Sequence, residues 1–433
     1  LGDPRGTGRI ALFVAGGSQP GRYPLGAPSR LFWREGAQWV PDVANNVLFE
    51  NLGIVNAALW TDLDADGLGE LVLACEWGPL RVFKQRGTGW FEVTSDLGLD
   101  RLTGLWRGVA AGDFNGDGRM DLVASNWGLN SPLRASEGHP LVLAYGQLAQ
   151  PGVMDLVETE WVADRLVPRR GWTPLSRSLP FLLDRFESHR TFSDATLEEV
   201  LGDRAPLSHQ ARATTLATTL FLNTGAGFQA TALPRDAQFA PAFAVTLADF
   251  DGDGTEDVFL SQNLFATGPE LPRMDAGVGL LLRGDGRGRL DAMRPSETGL
   301  RVWGEQRGAA AGDFDEDGRM DLAIAPHDES VRIFRNVGAV PGLRVRLKGR
   351  RENPEGIGAT LRLQRDGTLG PAREIHAGSG YWSQDSATVV LTPRTQASGV
   401  WIRWPGGRIT TTPIPEGAGE LVIGEDGILI SSR

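Results

Sequence analysis

The sequence predicts an all-β protein: a β-propeller of six to seven four-stranded blades, followed by a small separate β domain. Three observations predict it. A nine-residue acidic pattern, D-x-[DN]-x-D-G-x-x-[DE], occurs four times, at 62–70, 113–121, 249–257 and 313–321. Each copy runs into a short β-like stretch (LVLAC, LVASN, VFLSQ, LAIAP), and two further apolar runs around a glycine-containing turn recur with it, as in LRVFKQRGTGWFEV and LLLRGDGRGRL. Finally, 57 glycines and 26 prolines in 433 residues suit many tight turns between short strands. A unit of four short antiparallel strands that recurs along the chain is the signature of a propeller.

Taken in order, the repeats begin near residues 3, 62, 113, 147, 249 and 313. Two of these are worn: DPRGTGRIA at 3–11 and QLAQPGVMD at 147–155 keep the glycine at position 6 but have lost most of the acids. Six copies are detectable, and seven blades is the commoner closed form. The interval from 147 to 249 is too long for one blade, so residues 156–216 read as an insertion. Ser193-Asp194 before ATLEEV resembles a helix N-cap and predicts a short helix over 194–201. After Pro341-Gly342 the acidic loops stop, and LRVRLKG, ATLRLQR, GVWIRWP and GELVIG alternate as short strands. The division expected is a propeller over 1–341 and a β domain over 342–433.

Clustered carboxylates at this spacing suit a hard cation with six to eight oxygen ligands, which points to calcium. Positions 1, 3, 5 and 9 would supply side-chain oxygens, and position 7 its carbonyl. The expected sets are Asp62, Asp64, Asp66, Leu68 and Glu70; Asp113, Asn115, Asp117, Arg119 and Asp121; Asp249, Asp251, Asp253, Thr255 and Asp257; and Asp313, Asp315, Asp317, Arg319 and Asp321. That makes about four structural ions, with none expected in the worn loops. An EF-hand is excluded because it needs Glu at position 12, where this chain has Leu73, Ala124, Leu260 and Ile324.

The net charge of −11 and the lack of a basic run argue against nucleic acid. Cys75 stands alone, so no internal disulfide forms. No apolar run approaches the roughly 18 residues of a membrane span. The chain opens at Leu1 without a methionine, so a removed upstream segment, with any signal peptide or anchor, is expected.

The loops resemble the FG-GAP (VCBS-type) repeats of integrin α-chain propellers and their bacterial relatives. The pieces ENPEGIGATLRL, REIHAGSGYWSQDS and VWIRWPGG resemble the ASPIC/UnbV domain. A propeller followed by that domain is the layout of the cartilage acidic protein family and its bacterial homologues. The resemblance implies a secreted, periplasmic or cell-surface calcium-binding propeller.

Strand alternation places the acidic loops on one face and the loops after each second strand on the other. Those variable loops hold Arg22, Tyr23, Glu76, Trp77, Asn126, Trp127, Asn130, Asn263, Phe265, Arg273, Asp275 and His327, and the insertion adds Trp161, Arg169, Arg170 and Trp172. Aromatics beside Asn, Arg and carboxylates suit a recognition surface; the plainer reading is that the tryptophans cover blade edges. The leading expectation is a non-enzymatic interaction module with a protein or envelope-assembly partner. A lectin-like carbohydrate binder is the second, and a polysaccharide-degrading enzyme the third. No catalytic residue is assigned: the five histidines form no motif, and Ser383 in SGYWSQDS has only His376 near it in sequence.

Overall fold

The computed structural model describes residues 1–268, 271–393 and 397–433, and its strands are organised by the acidic hairpins. The first sheet has the order β1 (Ala11–Val14), β2 (Arg30–Glu35) and β3 (Gln38–Pro41). The second runs β4 (Ile54–Thr61), β5 (Glu70–Gly78), β6 (Leu80–Arg86) and β7 (Gly89–Glu92), with β8 (Gly104–Leu105) also pairing with β5. The third starts with β9 (Val109–Gly112) and β10 (Asp121–Ala124). The chain then leaves it to build a sheet of β11 (Leu141–Gly146), β12 (Asp155–Val162), β13 (Arg165–Pro168) and β14 (Ser208–Ala213). It returns as β15 (Thr219–Asn223) and β16 (Phe228–Ala232), which complete the third sheet in the order β16-β15-β10-β9. The fourth is β17 (Ala242–Ala248), β18 (Asp257–Gln262), β19 (Leu280–Gly284) and β20 (Leu290–Ala292). The fifth is β21 (Gln306–Gly312), β22 (Asp321–Pro326) and β23 (Arg332–Phe334).

These five sheets stack face to face, because strand alternation sends successive residues to opposite neighbours. In β5, Leu71, Leu73 and Cys75 pack with Phe13, Leu31 and Trp33 of the first sheet. Val72 and Ala74 instead pack with Val109, Leu122 and Phe221 of the third. The third sheet's Val123 and Leu220 meet the fourth's Val258 and Leu282, and the fourth's Phe259 meets the fifth's Leu322 and Ile324. The first strands β4, β9, β17 and β21 lie side by side along the inner edge. Ser125 Oγ donates to Phe243 O and Ser261 Oγ to Arg307 O, both at 2.7 Å, so buried hydroxyls staple the third sheet to the fourth and the fourth to the fifth. Among the described residues no strand pairing joins the fifth sheet back to the first, and Val331 and Ile333 of the last sheet are exposed.

The copy at 147 is placed differently from the simple series of blades that the repeat count predicts. It is the β11–β12 hairpin of the side sheet, whose order is β13-β12-β11-β14, inside an excursion that runs from 125 to 218. Where a repeat would continue into its next strand pair, this one passes into short helices, among them Trp172–Ser178 and Leu197–Leu201. The helix expected over 194–201 starts three residues later. Its cap is Thr196, whose Oγ accepts from Glu199 N while Glu199 Oε2 accepts from Thr196 N; this reciprocal pair outcompetes Ser193, which ends the preceding helix.

Beyond residue 342 the chain forms two sheets around one apolar core. In one, Leu343–Lys348 pairs antiparallel with Val389–Leu391 and parallel with Glu420–Gly424. In the other, Thr360–Arg365 pairs with Gly399–Arg403, which pairs with Ile409–Pro413. Val345, Leu361, Ile402, Trp404 and Leu421 fill the space between them.

Candidate functional site

All six acidic or worn loops close one hairpin in one register. The residue before position 1 pairs with position 9: Thr61 with Glu70, Gly112 with Asp121, Gly146 with Asp155, Ala248 with Asp257, and Gly312 with Asp321; Gly2 bridges Ala11 in the same way. Position 6 is glycine with φ of +84° at Gly8, +87° at Gly67, +86° at Gly118, +85° at Gly152, +99° at Gly254 and +83° at Gly318. An L side chain is strained there. The left-handed turn aims the glycine N–H back at position 1. Gly67, Gly118, Gly254 and Gly318 donate to Asp62, Asp113, Asp249 and Asp313 at 2.8–2.9 Å.

Position 9 closes the other side of the loop. Glu70, Asp121, Asp257 and Asp321 accept the N–H of position 2 (Leu63, Phe114, Phe250, Phe314). Asp121, Asp257 and Asp321 also accept from the end of the third strand, at Asn223, Gly284 and Asn336. Position 5 caps the N–H of position 7: Asp66 to Leu68, Asp117 to Arg119, Asp253 to Thr255 and Asp317 to Arg319.

The carboxylates converge. One oxygen each from Asp62, Asp64 and Asp66, from Asp249, Asp251 and Asp257, and from Asp313, Asp315 and Asp321 falls within 4.8 Å of its fellows. In the Asp113 loop, Asn115 replaces a carboxylate at position 3, and Asp113 Oδ1 is buried with no hydrogen-bond partner among the described residues. Burial pushes up the position-1 acids Asp62, Asp113, Asp249 and Asp313 and three of the position-9 acids. Asp257 is raised to about 8 by burial with Asp251 nearby, and Glu70 to about 8 by burial with Asp64 nearby. Asp121 rises to about 7 by burial, and Asp62 to about 6 by burial beside Glu374. Crowded, desolvated carboxylates need positive charge, and a set of oxygen donors alone suits a hard divalent cation. The residues therefore fit calcium.

Basic side chains from the third strands supply part of that charge. Lys84 pairs with Asp64, with Asp66 at 2.9 Å and with Glu70 at 3.0 Å. Arg283 meets Asp251 at 2.7 Å, and Arg335 meets Asp315. At the matching place beside the Asp113 loop stands Leu222, so there the buried Asp113 oxygen has no such counter-charge.

The C-terminal domain sits on this face and reaches every loop of the five sheets. Arg350 donates to Thr7 O, Arg403 pairs with Asp62 at 2.8 Å, and Ala372 N donates to Asp113 at 2.9 Å. Arg373 donates to Thr255 O and Thr392 Oγ to Asp249, while buried Arg344 bridges Asp313 and Glu420, both at 2.8 Å. Between these contacts, residues 372–392 make an excursion along the inner strands. The segment leaves the loops at Glu374, which accepts from Thr61 Oγ. It pairs Gly380 with Val109 at the far end of β9. It then returns past Ala311, whose N–H Asp385 accepts.

SGYWSQDS is the tip of that excursion, a turn closed by the Ser379–Ser383 bridge, and Ser383 Oγ donates to backbone carbonyls of Ser379 and Tyr381. His376 faces Glu374 at 3.1 Å instead. On the far face, contrary to expectation, Asn126 and Asn263 are buried and cannot meet a ligand. Asn126 holds Leu105 N and Thr215 O, and Asn263 holds Gly277 and Gly304, because the chain turns there with backbone groups to satisfy.

The other far-face residues are mostly engaged. Tyr23 OH donates to Glu76 and accepts from Trp77 Nε1, while Arg22 is exposed. Trp127 is half-buried against Leu216, and Asn130 donates to Phe239 O. Arg273 covers Phe265 at 3.6 Å and pairs with Asp275; His327 is exposed beside Asp328. In the excursion from the third sheet, Trp161 donates to Pro140 O and Trp172 to Leu182 O, and Arg170 pairs with Glu158. Arg169 borders two adjoining clefts beside these tryptophans, of about 440 and 550 Å³. Cys75 is buried and its thiol pushed up to about 12, which leaves it unreactive.

Comparison with known proteins agrees with the residues quoted from the sequence. Residues 62–124 match the FG-GAP-like repeat family and 349–428 the ASPIC and UnbV family. Cartilage acidic protein 1 of Xenopus tropicalis is 24% identical over 349 residues, 79% of this chain and 40% of that protein. Cartilage acidic protein 1 of Homo sapiens is 23% identical over 79% of this chain and 39% of its own length. The chain thus spans about two fifths of these curated relatives. An exotype rhamnogalacturonan lyase aligns at 13% identity and a TM-score of 0.33, covering 95% of this chain and 70% of that one, a likeness too distant to inform fold or chemistry.

Proposed function

We propose that this chain, a relative of the cartilage acidic proteins that joins FG-GAP-like repeats to an ASPIC and UnbV segment, is a calcium-stiffened interaction module. It acts without catalysis and outside the cytoplasm. Its five stacked sheets form a propeller-type body. Calcium ions held by the four full loops neutralise their carboxylates, and the C-terminal domain rests on the face so fixed.

One observation carries the calcium reading. The worn loops make the same hairpin without acids at positions 3 and 5, so folding of the hairpin does not require them. In the full loops these positions carry Asp64 and Asp66, Asn115 and Asp117, Asp251 and Asp253, and Asp315 and Asp317. Of these, Asp64, Asp66, Asp251 and Asp315 lie within 4.8 Å of other carboxylates of their loops, and acids that the turn does not need, so gathered, have cation binding as their use. The metal would supply charge and rigidity, coupling ion occupancy to folding and to the seating of the C-terminal domain.

The test compares calcium-loaded and chelated protein in two assays. Partner capture from the native envelope should depend on calcium, and no turnover should appear on neutral or acidic polysaccharides. Catalysis above background that survives repurification, with no calcium-dependent partner, would contradict the reading.

A further inference from the structure

The excursion of residues 372–392 delivers two aromatic rings to the end of the inner strands opposite the acidic loops. Gly380, with φ of +64°, passes beside Val245, where a Cβ would lie 2.7 Å from its carbonyl oxygen, so the close passage needs glycine. Tyr381 then packs edge-on against Phe243 at 5.4 Å and is itself buried. Trp382 stacks on Tyr381, with ring centroids 4.7 Å apart and 16° between planes. It remains 80% exposed. Its φ is +52°, a left-handed conformation that strains a non-glycine residue. The tip is tied by the Ser379–Ser383 bridge. The backbone thus holds the largest side chain type in the open at energetic cost, one ring face covered by tyrosine and the other free.

The surroundings are polar and paired. Arg107 binds Glu76 at 2.9 Å and Arg307 binds Glu305, and both guanidinium groups lie against Phe243. These arginines also lie near the Tyr381 hydroxyl, whose proton loss they favour against the dominant effect of burial. That hydroxyl makes no hydrogen bond within the described residues. Each arginine is matched by a carboxylate, so the two pairs bring polar groups without net charge.

We propose that Trp382 and Tyr381 form a binding platform for a neutral saccharide. A sugar ring has an apolar C–H face, which the open side of the indole would take, and hydroxyl groups around its rim, which the paired Arg–carboxylate groups and the tyrosine hydroxyl would meet. An anionic ligand would find its charge already balanced at Arg107 and Arg307. A protein anchor would seek an apolar pocket, and here the flanking groups are ion pairs. This site is separate from the calcium loops, since it lies at the opposite end of the inner strands.

The experiment uses the full calcium-loaded chain on an array of neutral, uronic-acid-containing and sulfated oligosaccharides, followed by titration of the strongest neutral binder. Neutral oligosaccharides should bind. Trp382→Ala should weaken binding about tenfold or more, with melting temperature and calcium content unchanged. Tyr381→Phe, which removes only the hydroxyl, should weaken it by a smaller factor. Absence of neutral-glycan binding, preference for charged glycans, or binding unchanged in Trp382→Ala would each overturn the proposal. Calcium content measured on the same samples keeps that outcome distinct from a failure of the metal reading.

Discussion

Loop 249–257 carries carboxylates at positions 1, 3, 5 and 9, and loop 147–155 carries only the last, yet their hairpins coincide. Ala248 pairs with Asp257 as Gly146 pairs with Asp155. Gly254 N donates to Asp249 at 2.8 Å as Gly152 N donates to Gln147 Oε1 at 2.7 Å. Asp257 and Asp155 both accept the N–H of position 2. These two turns share a left-handed glycine, one acceptor at position 1 and one at position 9; loop 3–11 closes in the same register with Ala11 at position 9, so the glycine and the position-1 acceptor are what all the turns have in common. The loops differ in what they meet: the C-terminal domain covers the first, while the second lies in the side sheet.

The most damaging change should be on the covered face. Arg344 is 7% exposed and binds both Asp313 and Glu420. Arg344→Ala leaves two carboxylates without their partner and should cost about 3–5 kcal/mol in chemical denaturation. A loss under 1 kcal/mol would mean that the C-terminal domain is not held there.

Glycine substitutions sharpen the contrast next. At Gly254 the added Cβ would be strained by φ of +99° and would lie 2.8 Å from Thr392 O, so Gly254→Ala should cost about 3 kcal/mol. At Gly152 the space is open and only the +85° backbone opposes a side chain, so Gly152→Ala should cost about 1–2 kcal/mol. Equal losses would remove the role given to interdomain packing.

Asp251→Asn separates cation binding from folding. With calcium present it should lower stability by about 2 kcal/mol, as site affinity falls. In chelator the change should be within about 0.5 kcal/mol, because only a partly exposed pair with Arg283 is lost. Gln147→Ala, the smallest effect, should cost about 1 kcal/mol for its single hydrogen bond, the same with and without calcium.

Much of this was legible in local spacing. A glycine at position 6 with a side-chain acceptor at position 1 marks a hairpin within nine residues, so all six copies could be found from the letters alone. Their sequence in space could not, because the hairpin at 147 is identical in form whether it opens a repeat or a side sheet. Asn126 and Asn263 looked like ligand-facing residues since asparagine after a strand is usually exposed; their burial depends on backbone groups up to 91 residues away. The crowning arginines were missed for the same reason. Arg403 and Asp62 are more than 300 residues apart, and nothing near either one announces the other. Ser125 and Ser261 did leave a signal: both precede or nearly precede an asparagine at the end of the second strand, in VASN and LSQN.

The central claim is that the acids the turn does not need exist to hold calcium. Elemental analysis of purified protein, paired with thermal unfolding before and after chelation, tests it most directly. The account predicts about four calcium ions per chain and a clear fall in melting temperature on chelation, reversed by calcium. Protein that carries no calcium and melts at one temperature in both conditions would contradict it.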